Sequence, residues 1–250
     1  MESQETFLSH LIELRERVVF SLLAYAVACA PALWFSAELY DLLAAPLIES
    51  LPEGSRMIAT GVISPFLIPM KIGFFVAFVG ALPVILYQAW AFVAPGLYEH
   101  EKRLALPIVI SSTLLFLVGV LFCYYWVFGK VFAFIATFAP KSITVAPDIE
   151  AYFNFVLGMF LAFGLAFEVP VVVVVLVLMG VVTVEQLREW RGYVLLGIAV
   201  ISAVVTPPDV VSMLSLMLPM YILYEIGIFV AQFVGKAKKP VPAAAEPTQE

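Results

Sequence analysis

YVLLGIAVISAVVTPPDVVSMLSLMLPMYILYEIGIFVAQFVG, residues 193–235, is a long apolar run with TPPD set into it at 206–209. Pro207 and Pro208 cannot both sit inside a regular helix, because each lacks a backbone donor and its ring crowds the preceding turn. The run therefore reads as two helices, about 193–206 and 210–234, joined by a turn at TPPD. The first would rise only about 21 Å at 1.5 Å per residue, short of the roughly 30 Å core of a bilayer. Either the membrane thins around it or the pair forms a re-entrant hairpin, and both versions return the chain to the side it left.

Upstream lie four longer apolar segments, about 18–36, 68–94, 104–129 and 151–182. Each is near or above the roughly 20 helical residues that a bilayer core requires. The whole chain agrees with them: of its 250 residues 63% are hydrophobic and 13% charged, with a mean hydropathy of +1.05. That is more apolar surface than a soluble domain of this length can hide. The expected fold is an all-α integral membrane protein with six transmembrane helices and one membrane domain over 1–235. The proline- and alanine-rich tail, 236–250, is expected to be a disordered cytoplasmic extension.

Six passes put the N-terminus, the 95–103 loop, the 183–192 loop and the tail on one side. That side carries nine lysines and arginines, and the other only Arg56, Lys71, Lys130 and Lys141. The positive-inside rule then places both termini in the cytoplasm. Arg15 and Arg17 ahead of VVFSLLAYAVACAPA imitate a secretory leader. The run continues through LWF, however, and glutamates crowd its start, so it reads as an uncleaved first span. The longest loops, 37–67 and 130–150, fall outside, where Pro46, Pro52, Pro65 and Pro69 would shape a cap.

Several function classes drop out. A net charge of −6 does not suit a nucleic-acid binder. Cys29 and Cys123 stand alone in apolar runs, as small buried hydrophobes do. There is no HExxH, GxSxG or GxxxxGK, so no enzyme, metal or cofactor is expected. No internal repeat supports a transporter built from duplicated halves.

What remains are carboxylates in unusual places. Glu168, in FGLAFEVPV, lies within the fourth span, where an ionisable group costs a few kcal/mol and usually faces protein or a cavity. Pro170, two residues on, should kink that helix. The bland reading is a protonated carboxyl satisfying a freed carbonyl; the functional one is an intramembrane polar site. At the membrane surface Glu13 and Glu16 flank Arg15 and Arg17, and Glu99 and Glu101 precede Lys102 and Arg103. Glu99 and Arg103 are four apart, so a local helix pair accounts for one of these acids. Two acidic clusters on the side that attracts basic segments would also suit a guanidinium ligand, which a carboxylate grips through two parallel hydrogen bonds.

Five blocks then carry a resemblance: FLSHLIELRER at 7–17, FVAPGLYEHEKR at 92–103, FGLAFEVPV at 163–171, TPPD at 206–209 and LPMYILYEIGIF at 218–229. In order and spacing the chain resembles TatC, the six-helix core of the bacterial twin-arginine translocase. The resemblance implies a concave, glove-like bundle with short fifth and sixth helices in the bacterial inner membrane. It implies binding of the twin-arginine signal peptides of folded cargo, recruitment of the single-span TatA and TatB, association with other TatC copies, and export driven by the proton-motive force. Glu13 and Glu101 would form the cytoplasmic patch for the arginine pair, supported by Arg15, Arg17, Phe92, Tyr98 and Arg103. Glu168 would lie in the concave face, Pro46 in the outer cap and Asp209 at the outer turn between the last two helices. One departure is Met213, where the family pattern has a glutamine; Ser212 and Ser215 are the neighbouring polar candidates.

Two other functions fit the residues. A proton-coupled small-molecule transporter would use Glu168 as its proton carrier, and a purely structural scaffold would bind no ligand at either site.

Overall fold

The computed structural model describes residues 2–50, 57–93, 105–132, 146–206 and 210–236. Among them the chain is helical throughout, apart from short connections and one isolated β-bridge between Ile58 and Asp148. In chain order the helices are α1 (Glu2–Trp34), α2 (Ser36–Ser50), α3 (Ser64–Val93) and α4. The last of these runs from Ala105 to Phe122, through a π-helical turn at Cys123–Val127, and on to residue 132. Then come α5 (Ile149–Phe167), α6 (Val169–Leu178), α7 (Val184–Glu189), α8 (Arg191–Val205) and α9 (Val210–Lys236).

Among the described residues five segments are long and apolar enough to cross a membrane: Leu11–Trp34, Ser64–Phe92, Leu106–Phe132, Ile149–Leu178 and Val210–Phe233. The sixth apolar helix, α8, has 15 residues and is the short one. The last helix is not short: α9 runs 27 residues from Val210, and Pro219 is accommodated inside it. Membrane helices tolerate internal prolines where neighbouring groups and local adjustments satisfy the freed backbone carbonyls, and Pro31, Pro69 and Pro83 sit inside α1 and α3 in the same way.

The stretch expected as an outer loop from residue 37 begins instead as helix α2. Its apolar residues at helical spacing dock on the core: Leu39, Tyr40 and Leu43 pack against it and Ala44 is fully buried. Tyr124 and Tyr152 each donate a hydrogen bond to a carbonyl of α2, at Leu42 (2.9 Å) and Leu43 (3.1 Å). Residues 183–192 also contain a helix, α7, closed by a capping box between Thr183 and Gln186.

Small residues set the helix contacts, as they must where lipid removes the hydrophobic drive between helices. On α3, Gly73 lies against Leu33 and the carbonyl of Ala32, and Gly80 lies against Ala28, so α1 is fastened to α3 along its second half. Gly119 of α4 meets Phe163, and Gly164 of α5 meets the Phe116 ring, an interlock that seats these two helices closely. Gly227 does the same for α9 against Pro170 of α6. Around the α4–α5 seam the core is aromatic: Phe116, Phe128, Phe153, Phe160 and Phe163 are all fully buried. The rings of Phe128 and Phe160 stand 5.3 Å apart, a tilted pairing within the favoured range.

Candidate functional site

Every fourth residue along one stripe of α1 is polar: Glu13, Arg17, Ser21 and Tyr25. Residues four apart share a helix face, so the stripe turns as one toward α3. Arg17 donates from Nη2 to Glu13 Oε1 at 3.1 Å and from Nη1 to Gln88 Oε1 of α3 at 3.1 Å. Both charged side chains are about one-third exposed, 31% for Arg17 and 33% for Glu13. Ser21 returns its hydroxyl to the Arg17 carbonyl at 2.9 Å, and Tyr25 reaches the Phe74 carbonyl at 3.4 Å.

Beside this stripe opens a groove of about 820 Å³ between α1, α3 and α5. Its walls are apolar, from Phe74, Phe75, Phe78, Ile85, Phe92 and Leu161, with Arg17 and Gln88 among its few polar groups. Phe92 follows Gln88 by one helical turn and so shares its face. A carboxylate already holding a guanidinium therefore stands next to a large apolar recess. Such a pair, partly in solvent and four residues apart, is worth only about 0.3–0.5 kcal/mol, so a better cation can displace it.

Of the residues singled out in the sequence, Glu13, Arg17 and Phe92 come together here. Arg15 and Glu16 are exposed on another face of α1. Tyr98, Glu101, Arg103 and Asp209 lie outside the described residues, and Pro46 lies within α2. Ser212 is fully buried and Ser215 nearly so, while Met213 is half-buried. Sequence reasoning missed Gln88. A lone amide in the apolar run PVILYQAWAFV could have flagged it, since polar residues inside membrane helices usually find a partner.

Glu168 occupies a separate place. It forms the break between α5 and α6, its N–H bonding the Leu165 carbonyl at 3.1 Å and its own carbonyl accepting from Val172 at 3.0 Å. Pro170 leaves the α5 ladder one donor short, which accounts for a break at the expected kink. The carboxyl accepts a 2.5 Å hydrogen bond from Ser112 of α4, and its Oε1 is buried without a partner among the described residues. Glu168 does not line the groove that holds Arg17.

Elsewhere, Arg191 of α8 pairs with Glu225 of α9 at 2.6 Å, and Tyr224 donates to the Leu187 carbonyl at 2.7 Å, tying α7 and α8 to α9. At the opposite end from Glu13, Asp148 caps α5. It accepts from the Ala151 amide at 3.0 Å and from Thr60 through both amide (3.1 Å) and hydroxyl (2.8 Å). These bonds, led by the Ala151 amide, hold its carboxyl below the usual carboxylate range. Among the described residues no group of three His, Cys, Asp or Glu could hold a metal.

The family model described as Sec-independent protein translocase protein (TatC) matches residues 9–219. A Sec-independent protein translocase protein TatC of Escherichia coli (strain K12) is 47% identical over 239 residues, covering 95% of this chain and 93% of its own length. One from Aquifex aeolicus (strain VF5) is 37% identical over 237 residues, covering 94% and 98%. A crystal structure described as the twin arginine translocase receptor TatC superposes with a TM-score of 0.78 at 38% identity, covering 90% of this chain and 98% of that one. A second, in the detergent DDM, gives 0.80 at 38% identity, covering 89% and 99%.

Proposed function

The chain belongs to the TatC family of Sec-independent protein translocase proteins, and from that premise we propose that it is the signal-peptide receptor of its translocase. The observation that carries the reading is Glu13, one-third exposed, holding a guanidinium at the edge of an apolar groove. A signal peptide with paired arginines followed by an apolar segment presents the matching chemistry: forked donors for a carboxylate, then side chains for a phenylalanine-lined recess.

In this reading Glu13 and Glu101 take the two arginines, with Arg15, Arg17, Phe92, Tyr98 and Arg103 around them. The Glu13 end faces the cytoplasm of a bacterial inner membrane, as the distribution of lysine and arginine supports. TatA and TatB are the partners that the family membership supports, along with further copies of this chain, with the proton-motive force as the energy source. Pro46 shapes the outer cap, and Asp209 marks the outer turn between α8 and α9. Glu168 supplies a polar point within the membrane.

The test is binding of a twin-arginine signal peptide to the full chain in lipid nanodiscs, against a twin-lysine version and against Glu13→Ala and Glu101→Ala. Weaker binding of the lysine peptide and loss in both variants is the expected result. Equal binding of both peptides, untouched by either variant, would overturn it. It would also favour the proton-coupled transporter, for which the buried Glu168 Oε1, without a partner among the described residues, is the supporting observation.

A further inference from the structure

The ligand's place at Glu13 is already taken. Arg17 reaches it from one helical turn away, through a single nitrogen, while its other terminal nitrogen is held by Gln88 on the neighbouring helix. This is an end-on contact divided between two acceptors, not the two parallel bonds that a carboxylate and a guanidinium make when they face each other squarely. We propose that Arg17 is a built-in occupant of the receptor carboxylate, and that Gln88 is the positioning residue that holds Arg17 when a ligand arginine displaces it. The inference rests on the receptor reading above.

Three features support it. On either side of Gln88 along α3 the groove is lined by Ile85, Ala89 and Phe92, whose side chains offer a displaced guanidinium no hydrogen-bond acceptor. Gln88 Oε1 already accepts from Nη1, so a guanidinium displaced from Glu13 keeps one acceptor on that wall, and Nη2 is released toward the solvent that reaches this one-third-exposed side chain. The incumbent also sets a threshold. A lysine has a compact ammonium that binds as a point charge, so displacing Arg17 exchanges one single-nitrogen contact for another. An arginine of the ligand gains a second parallel bond in the same exchange. Arginine-over-lysine discrimination thus arises from what must be displaced as well as from what is formed.

The experiment measures twin-arginine and twin-lysine peptides on the full chain in nanodiscs, for wild type, Arg17→Gln, Gln88→Leu and the double variant, with Glu13→Gln alongside. Removing the occupant should raise lysine-peptide affinity several-fold, and more than arginine-peptide affinity, so that discrimination narrows. Gln88→Leu should weaken the arginine peptide several-fold, and Gln88→Asn, which keeps an acceptor, should recover part of that loss. Because Gln88 acts through Arg17, the double variant should behave like Arg17→Gln alone. The inference is overturned if Arg17→Gln weakens both peptides equally, or if the two substitutions add. If Glu13→Gln changes neither peptide, the receptor reading itself falls. If Glu13→Gln abolishes binding while Arg17→Gln leaves discrimination unchanged, only this inference falls.

Discussion

Gly119 lies so close to the backbone of Phe163 that a β-carbon built on it would stand 2.6 Å from that carbonyl oxygen. The obstacle is backbone, which cannot swing aside as the end of a side chain can. The α4–α5 seam is therefore set by the absence of one carbon, and the aromatic core around it depends on that spacing.

Gly119→Ala should accordingly force the two helices apart and cost about 1–3 kcal/mol, the usual penalty for overpacking a filled interior. Gly129→Ala serves as the control, since a β-carbon there meets nothing within 4 Å. That change should be neutral or slightly stabilising, because alanine is the better helix former by about 1 kcal/mol. Thermal unfolding in detergent micelles reads both. Equal midpoints for the two variants would show that the seam yields without cost.

The Ser112–Glu168 bond gives a second prediction. Ser112 is 2% exposed and is the only described hydrogen-bond partner of the Glu168 side chain. Ser112→Ala should leave the whole carboxyl without a partner and lower stability by about 1–3 kcal/mol. Ser111→Ala, at the exposed neighbouring position, should change nothing measurable. Denaturant unfolding in mixed micelles separates the two, and indistinguishable curves would mean that the bond does not support the carboxyl.

Acid should loosen the Asp148 end. Because the folded carboxyl sits below the usual range, its contribution is fully present above the unfolded value of about 3.9. It is lost as pH falls through the lower folded value. Wild type should therefore be more stable than Asp148→Asn at neutral pH, and the gap should close below about pH 4. Melting curves at pH 7 and pH 3 test the sign; a gap that widens in acid would contradict it.

Much of this was legible in the chain. The apolar runs, the TPPD break and the proline after Glu168 announce helices, an end to α8 and a kink, because each acts on its own few residues of backbone. The Glu13–Arg17 spacing likewise carries its own geometry. The start of α2 was hidden because it begins directly after the Phe35 break in α1, where the pattern looked like the beginning of a loop.

What the sequence determined by itself is therefore local: membrane helices, where they stop, and which polar residues stand out within them. Which faces meet was decided only by the tertiary structure. A helix that is apolar all round has no stripe to say which side is inward, and α4 and α6 are of that kind. Small residues settle it, with Gly73, Gly119, Gly164 and Gly227 each admitting one particular neighbour. Those close approaches bring Gln88 to Arg17 across 71 residues of chain and Ser112 to Glu168 across 56. No periodicity encodes such meetings, because they depend on how two separate surfaces fit.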